Sequence, residues 1–207
     1  MILFEVCGAR EDHPAYESMA AANLSRQYQF LRSAVMAALQ TERLFLAQSV
    51  IRALNYHAIA CLHTNAGEYR PCKVTVGSGE DVFEPPEHFR VQALIDDFVN
   101  DVNRNWDKWD DVSLASYVLW KLNWIHPFIN GNGRTARVTA YYIICLKAGG
   151  WLPGTTILPE LIRANRSDYV KALKAADKSA GAGKLDLSEL HELLSTLLSE
   201  QLATAAD

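Results

Sequence analysis

The chain has 207 residues, 49% apolar and 21% charged, and its 20 basic and 24 acidic side chains give a formal charge of −4. A chain of this composition and length is typical of a globular protein that buries about 70% of its unfolded surface. The acidic balance argues against a nucleic-acid-binding protein, which usually carries a basic excess. The sequence has no apolar stretch long enough to span a membrane, no signal-peptide pattern and no zinc-ligand spacing among its four cysteines. We therefore expect one cytoplasmic domain over residues 1–207 that binds neither nucleic acid nor a membrane.

Helical periodicity dominates the sequence and predicts an all-α fold. In chain order, the apolar spacing predicts helices over 23–39, 41–62, 87–102, 111–124, 134–148, 167–176 and about 186–203. Helices 111–124 and 134–148 are apolar on most sides, which is typical of the centre of a bundle. The one alternating segment runs from Cys72 to Phe83, with Gly77-Ser-Gly79 as a turn, and predicts a single inserted β-hairpin.

The segment that carries chemistry lies between the two central helices and reads His126-Pro-Phe-Ile-Asn-Gly-Asn-Gly-Arg-Thr-Ala-Arg137. The stretch Asn130-Gly131-Asn132-Gly133 is turn sequence that leads directly into a helix. The first backbone N–H groups of a helix have no partner within it, and the helix dipole points its positive end outward there. Such a junction binds phosphate, and Gly131 and Gly133 have no Cβ to keep a ligand away.

Three side chains around this turn fit the same chemistry. Arg134 and Arg137 are three residues apart and share a helix face, where two guanidinium groups suit a polyphosphate. His126 ends the preceding helix, and histidine is the common general base near neutral pH. Each fragment alone also fits an ordinary turn or helix end, but their combination favours a phosphate site with a base beside it.

This segment resembles the signature of the Fic/Doc family, HPFx(D/E)GNGRxxR. The fixed residues match at His126, Pro127, Phe128, Gly131, Asn132, Gly133, Arg134 and Arg137. Residues 66–70 with Pro85-Pro86 resemble the flap region of that family, and residues 168–173 resemble the stretch after its core helices. The resemblance covers about residues 40–178 and leaves a helical extension over 1–39 and the last helix outside it. It implies a Fic-type helical bundle.

The resemblance also implies a function, namely transfer of AMP from ATP to a Ser, Thr or Tyr hydroxyl of a target protein. In this role His126 would deprotonate the hydroxyl, and Phe128 would be buried and hold the loop. Asn132 and the amides of residues 131–133 would bind the phosphates, with Arg134 and Arg137 on the β- and γ-phosphates. The flap, residues 74–83, would hold the target segment through Val74, Thr75, Val76 and Gly77.

One position departs from the signature, since the acidic residue before GNGR is Asn130 here. In the family that carboxylate holds a magnesium ion, and an amide oxygen coordinates magnesium more weakly. Asn130 is therefore either a weaker magnesium ligand or a residue that shapes the turn. Two alternatives stay open: a phosphotransferase or other nucleotidyl transferase that uses His126, and a nucleotide-binding regulatory module with little catalysis.

Regulation and self-association are suggested by two further patterns. Many Fic proteins carry an inhibitory helix with the pattern (S/T)xxxE(G/N), and residues 196–201 nearly match it, with Glu200 as the inhibitory residue. If Glu200 is only a solvated surface residue, the resemblance implies a separate antitoxin-like inhibitor or none. Several large aromatic residues near predicted helix ends either pack in the core or form a homo-oligomer contact: Tyr16, Tyr28, Phe30, Trp106, Trp109 and Trp151.

Overall fold

The computed structural model describes residues 2–77 and 82–205. Within these ranges the helices are α1 (Leu3–Val6), α2 (Pro14–Gln40), α3 (Gln48–Ile59), α4 (Val91–Arg104), α5 (Asp111–Ile125), α6 (Asn132–Lys147), α7 (Leu158–Ala164), α8 (Arg166–Gly181) and α9 (Ser188–Ala203). A turn of 3-10 helix, His88–Arg90, leads into α4. The predicted all-α fold class is confirmed.

Helices α5 and α6 pack against each other at the centre of the bundle, as their apolar composition predicts. Ten of the 15 residues of α5 and 12 of the 16 residues of α6 are buried, so both helices are enclosed by other elements. Helices α2 and α3 pack on α6, while α4, α8 and α9 pack on α5. The short loop between α5 and α6 therefore lies at one end of the core, where its shape is set by rigid helices.

The first two long helices differ from the prediction in their bounds. Helix α2 begins at Pro14 rather than at residue 23, because Pro14 occupies the first helical position and the His13 ring accepts a hydrogen bond from the Ala15 amide at 3.2 Å. Helix α3 begins at Gln48 rather than at residue 41. The amide group of Asn103 bonds both backbone groups of Leu46, at 2.8 and 2.9 Å, and holds that segment extended.

The predicted β-hairpin is not confirmed. Val76 and Phe83 exchange two backbone hydrogen bonds, of 3.0 and 2.9 Å, in an isolated antiparallel bridge. No strand continues from this bridge within the described residues, and the predicted turn at Ser78 and Gly79 lies outside them. Within the described residues, one residue pair thus joins the two sides of the flap through backbone hydrogen bonds.

Aromatic packing accounts for most of the large side chains noted in the sequence. Tyr16 is buried, and four of the others pack partly buried against the main core: Tyr28, Phe30, Trp106 and Trp151. Trp109 is 36% exposed. A homo-oligomer contact remains a prediction. Across residues 2–77 and 82–205, no helix has both the length and the apolarity that a bilayer crossing requires.

Candidate active site

The loop that joins α5 to α6 is closed by one amide side chain. Asn132 accepts a hydrogen bond from the backbone N–H of Phe128 at 2.9 Å and donates one to the Phe128 carbonyl at 2.8 Å. The Phe128 ring is fully buried, as the resemblance implies, and packs 5.6 Å from the Tyr69 ring. Because both polar atoms of the Asn132 side chain are used here, this side chain shapes the loop.

The first turn of α6 carries no side-chain cap. Gly131 precedes it at φ 76°, and a Cβ there would lie 2.7 Å from Cγ2 of Ile59, so glycine is required by both conformation and packing on α3. A Cβ on Gly133 would lie 3.3 Å from Nη1 of Arg137. The Arg137 guanidinium thus lies close to the backbone of the turn whose first amides are unpaired, an arrangement suited to a phosphate.

His126 ends α5 in the left-handed conformation, with φ 50° and ψ 58°. Its Nδ1 lies 3.3 Å from the Asn123 carbonyl, which only accepts hydrogen bonds, so Nδ1 carries the hydrogen and Nε2 keeps a free lone pair. Burial lowers the pKa of His126 to about 4, and the nearby Arg70 guanidinium acts in the same direction. At neutral pH the imidazole is uncharged, which is the state that a general base requires.

Arg70 connects this loop to the base of the flap and was not predicted from the sequence. Its guanidinium donates to the carbonyls of His126 at 2.8 Å, Cys72 at 3.0 Å and Pro86, and its own backbone N–H donates to Pro127 at 2.8 Å. The side chain is buried, since only 3% of the residue is exposed. One arginine therefore fixes the His126 backbone and both ends of the flap.

The two arginines of α6 have different surroundings. Arg134 donates from Nη1 to the Ala58 carbonyl at 2.9 Å and from Nη2 to Oδ1 of Asn130 at 3.0 Å. Arg137 makes no hydrogen bond or ion pair with the residues that the structure describes. Burial lowers the pKa of the Arg137 guanidinium, which favours an anionic ligand beside it.

A cleft of about 410 Å³ brings together part of the predicted set, whereas Asn130, Gly131, Asn132 and Arg134 do not line it. His126, Gly133 and Arg137 line it on the helix side, and Val76, Gly77 and Phe83 line it on the flap side. The sequence did not indicate the rest of the wall, which includes Trp120, Trp124, Arg166 and Tyr169. The cleft thus places an uncharged imidazole, unpaired helix amides and two arginines around one space.

Comparison with known proteins agrees with this geometry. The model of the family described as "Fic/DOC family" matches residues 45–144, which hold the flap, α5 and most of α6. Residues 45–144 of this chain are therefore similar to the Fic/DOC family.

Individual relatives are similar over part of their length. A Fido domain-containing protein of Dictyostelium discoideum is 27% identical over 117 residues, which are 54% of this chain and 76% of that protein. A ribonucleoside-diphosphate reductase small chain of Ostreid herpesvirus 1 is 33% identical over 132 residues, 56% of this chain, and the chain spans only 20% of that protein. A crystal structure of a Fic family protein from Desulfovibrio desulfuricans G20 superposes with a TM-score of 0.69 at 22% identity, covering 99% of this chain and 57% of that one. The last similarity shows the Fic fold.

The Fic flap residues divide into two pairs. Val76 and Gly77 line the cleft, whereas Val74 and Thr75 do not, and Thr75 is exposed. Only the pair next to the Val76–Phe83 bridge is therefore placed to contact a segment beside His126.

Among the described residues, no hydrogen bond or ion pair joins the predicted inhibitory residue Glu200 to Arg134 or Arg137. Glu200 is exposed on α9, while its neighbour Gln201 is buried and bonds Tyr141 and the backbone of Pro153 and Leu158. Glu160 of α7 acts on Arg137 electrostatically without a direct ion pair, and its carboxylate pairs with Arg163 at 2.6 Å. An inhibitory role for Glu200 stays a prediction.

The residues around Asn130 do not fit the magnesium site that the similarity to the Fic family implies. The Asn130 oxygen accepts from the cationic Arg134, and its Nδ2 donates to Glu11 at 3.1 Å. Magnesium takes hard, preferably charged oxygen ligands, and a guanidinium on the same oxygen opposes a second cation. Within residues 2–77 and 82–205, no three acidic, His or Cys side chains gather as a metal site.

Proposed function

We propose that this protein transfers AMP from ATP to the hydroxyl group of a Ser, Thr or Tyr side chain on a target protein. The observation that carries the proposal is the cleft in which the unpaired amides of α6, Arg137 and the uncharged imidazole of His126 face the flap. Such a site holds a polyphosphate and a proton acceptor within reach of a hydroxyl group from outside.

The phosphates would lie on the first turn of α6. Backbone N–H groups there stabilise the charge that develops on the α-phosphate, and one such donor contributes about 3–4 kcal/mol in comparable sites. Arg134 and Arg137 would hold the β- and γ-phosphates, and Arg166 lines the cleft together with Arg137. These charges stabilise the leaving pyrophosphate.

His126 would act on the incoming hydroxyl. Its Nε2 accepts the hydroxyl proton as the oxygen attacks the α-phosphorus, the bond from that phosphorus to the bridging oxygen breaks, and pyrophosphate leaves. A well-placed base raises the rate about 10²- to 10⁴-fold. A bound polyphosphate favours the imidazolium that forms, because opposite charges attract, and so compensates for the low pKa of the buried ring.

The flap would align the target. Val76 and Gly77 line the same cleft as His126 and Arg137. A target segment lying against these two flap residues would have its hydroxyl between His126 and the α-phosphate. We further propose that residues 1–207 act as one Fic domain in the cytoplasm. A separate antitoxin-like chain and a homo-oligomer are the partners to test beside the target protein.

Labelled nucleotides test the proposal. The protein is incubated with a cell lysate and ATP labelled either on the base or on the γ-phosphate. Base label on protein supports AMP transfer. Label only from the γ-position would indicate a phosphotransferase, and no label despite ATP binding would indicate a regulatory nucleotide-binding module.

A further inference from the structure

The N-terminal segment, residues 2–13, contacts the loop between α5 and α6. Its backbone is joined to the end of α3, because Leu3 donates to the Cys61 carbonyl at 2.9 Å and Phe4 to the Leu62 carbonyl at 3.0 Å. The segment then places the Glu11 carboxylate against Asn130, 119 residues away in the chain. Residues outside the family match thus contact the one signature position that departs from the pattern.

A continuous series of hydrogen bonds connects Glu11 to Arg134. The Glu11 carboxylate accepts from Nδ2 of Asn130 at 3.1 Å, and Oδ1 of Asn130 accepts from Nη2 of Arg134 at 3.0 Å. Nη1 of Arg134 donates to the Ala58 carbonyl at 2.9 Å, which fixes the other side of the guanidinium. The direction of each bond is determined, because a carboxylate only accepts and a guanidinium only donates.

We propose that Glu11 and Asn130 form a positioning pair for Arg134, and that Asn130 serves this pair instead of holding magnesium. An amide has both a donor and an acceptor, so it can bridge a carboxylate and a guanidinium, whereas a carboxylate at position 130 cannot. The importance of the pair for phosphate binding rests on the proposed function, in which Arg134 binds an outer phosphate. The bridge itself does not depend on that function.

The proposal explains why position 130 is an amide in this chain. An aspartate there would set its carboxylate against Glu11 at about hydrogen-bond distance, where like charges repel. The neighbouring His63 would not offset this repulsion between the two carboxylates. His63 has its Nε2 3.6 Å from the Glu11 carboxylate but also bonds the Tyr16 hydroxyl at 2.7 Å, and burial lowers the pKa of His63, which keeps it uncharged near neutral pH.

A double-variant cycle tests the bridge without nucleotide. Asn130→Asp should lower the Tm, Glu11→Gln should lower it less, and the double variant should regain most of the loss. In the double variant the amide introduced at position 11 donates to the carboxylate introduced at position 130, which still accepts from Arg134. Glu5→Gln, which removes an exposed charge from the same segment, is the matched control. Additive losses in the cycle would overturn the bridge.

Titration with ATP tests the positioning role. We expect Asn130→Asp to weaken ATP binding about tenfold, to raise the KM for ATP more than it lowers kcat, and to be rescued by Glu11→Gln. Binding of ATP by the wild-type protein should be similar with magnesium and with a chelator. Tighter ATP binding by Asn130→Asp together with a lower magnesium requirement would overturn the proposal and make position 130 a metal ligand. If the wild-type protein binds no ATP, the proposed function fails, while the Tm cycle still decides the bridge.

Discussion

At the scale of single residues, burial gives His126 the protonation state that the proposed base requires. Its ring is uncharged at neutral pH because burial holds the pKa near 4, below the ordinary value of 6.5. The Asn123 carbonyl fixes the hydrogen on Nδ1 and leaves Nε2 to accept a proton. The fall in activity at acidic pH should therefore follow the protonation of His126.

The pH dependence of kcat/KM follows from that pKa. The free protein needs uncharged His126, so we expect kcat/KM to be level down to about pH 5 and to fall towards pH 4. The same shift acts on stability. Between pH 6.5 and about 4, His126 takes up a proton more readily in the unfolded chain than in the folded protein. The contribution of the uncharged ring to the free energy of unfolding is therefore complete above pH 6.5 and is lost as the pH falls towards 4. A kcat/KM profile with its acid midpoint at or above 6.5 would contradict the assignment.

The arginines should discriminate between nucleotides by their outer phosphates. Arg134→Ala and Arg137→Ala each remove a charged donor, which is worth about 1.5–3 kcal/mol, or about 10- to 100-fold in affinity. We expect this loss for ATP and a much smaller one for AMP, measured by calorimetry. Equal losses of affinity for the two nucleotides would show that these side chains do not bind the outer phosphates.

Gly131 tests the local packing of the loop. Both Gly131 and Gly149 have positive φ, 76° and 75°, but only at Gly131 would a Cβ meet another atom, Cγ2 of Ile59 at 2.7 Å. Alanine in the left-handed conformation costs about 1–2 kcal/mol, and overpacking adds about 1–3 kcal/mol. Gly131→Ala should therefore lower the free energy of unfolding by more than Gly149→Ala in denaturant titrations, and equal effects would show that the α3 contact is unimportant.

At the scale of elements, the loop and the flap depend on each other through Arg70. Its guanidinium bonds three carbonyls that belong to the loop and to both ends of the flap, and lysine cannot reproduce that fork. Arg70→Lys should speed hydrogen exchange in residues 70–77 and 82–86 and lower transfer activity. Arg90→Lys, at an exposed position near the flap, should change neither. Unchanged exchange in Arg70→Lys would mean that the flap is held by other contacts.

The positions and bounds of the helices show what local sequence patterns can predict. The all-round apolar faces of α5 and α6 predict their central position, and Pro14 at the start of α2 is a local signal that the apolar spacing alone did not use. The start of α3 at Gln48 could not be predicted, because the segment before it is held by Asn103 from α4. Helix α7 was missed because its 7 residues are too few for a clear periodicity.

At the scale of the whole molecule, the cleft combines predicted and unpredicted parts. His126, Gly133 and Arg137 lie within 12 residues of one another in the sequence, so their chemistry was predictable from one segment. Arg166, Arg70 and Glu11 come from distant parts of the chain and reach the site only through the packing of the helices. Their roles depend on contacts between residues far apart in the chain, which local sequence patterns do not predict.

In the proposed function, His126 acts as the base at a polyphosphate site. The most direct test measures ATP binding by calorimetry and transfer of base-labelled AMP to protein for the wild type, His126→Ala and His191→Ala, a histidine outside this cleft. We predict that His126→Ala binds ATP within about threefold of wild type but loses about 10²- to 10⁴-fold in transfer, while His191→Ala retains both. Transfer by His126→Ala at nearly the wild-type rate would contradict the claim.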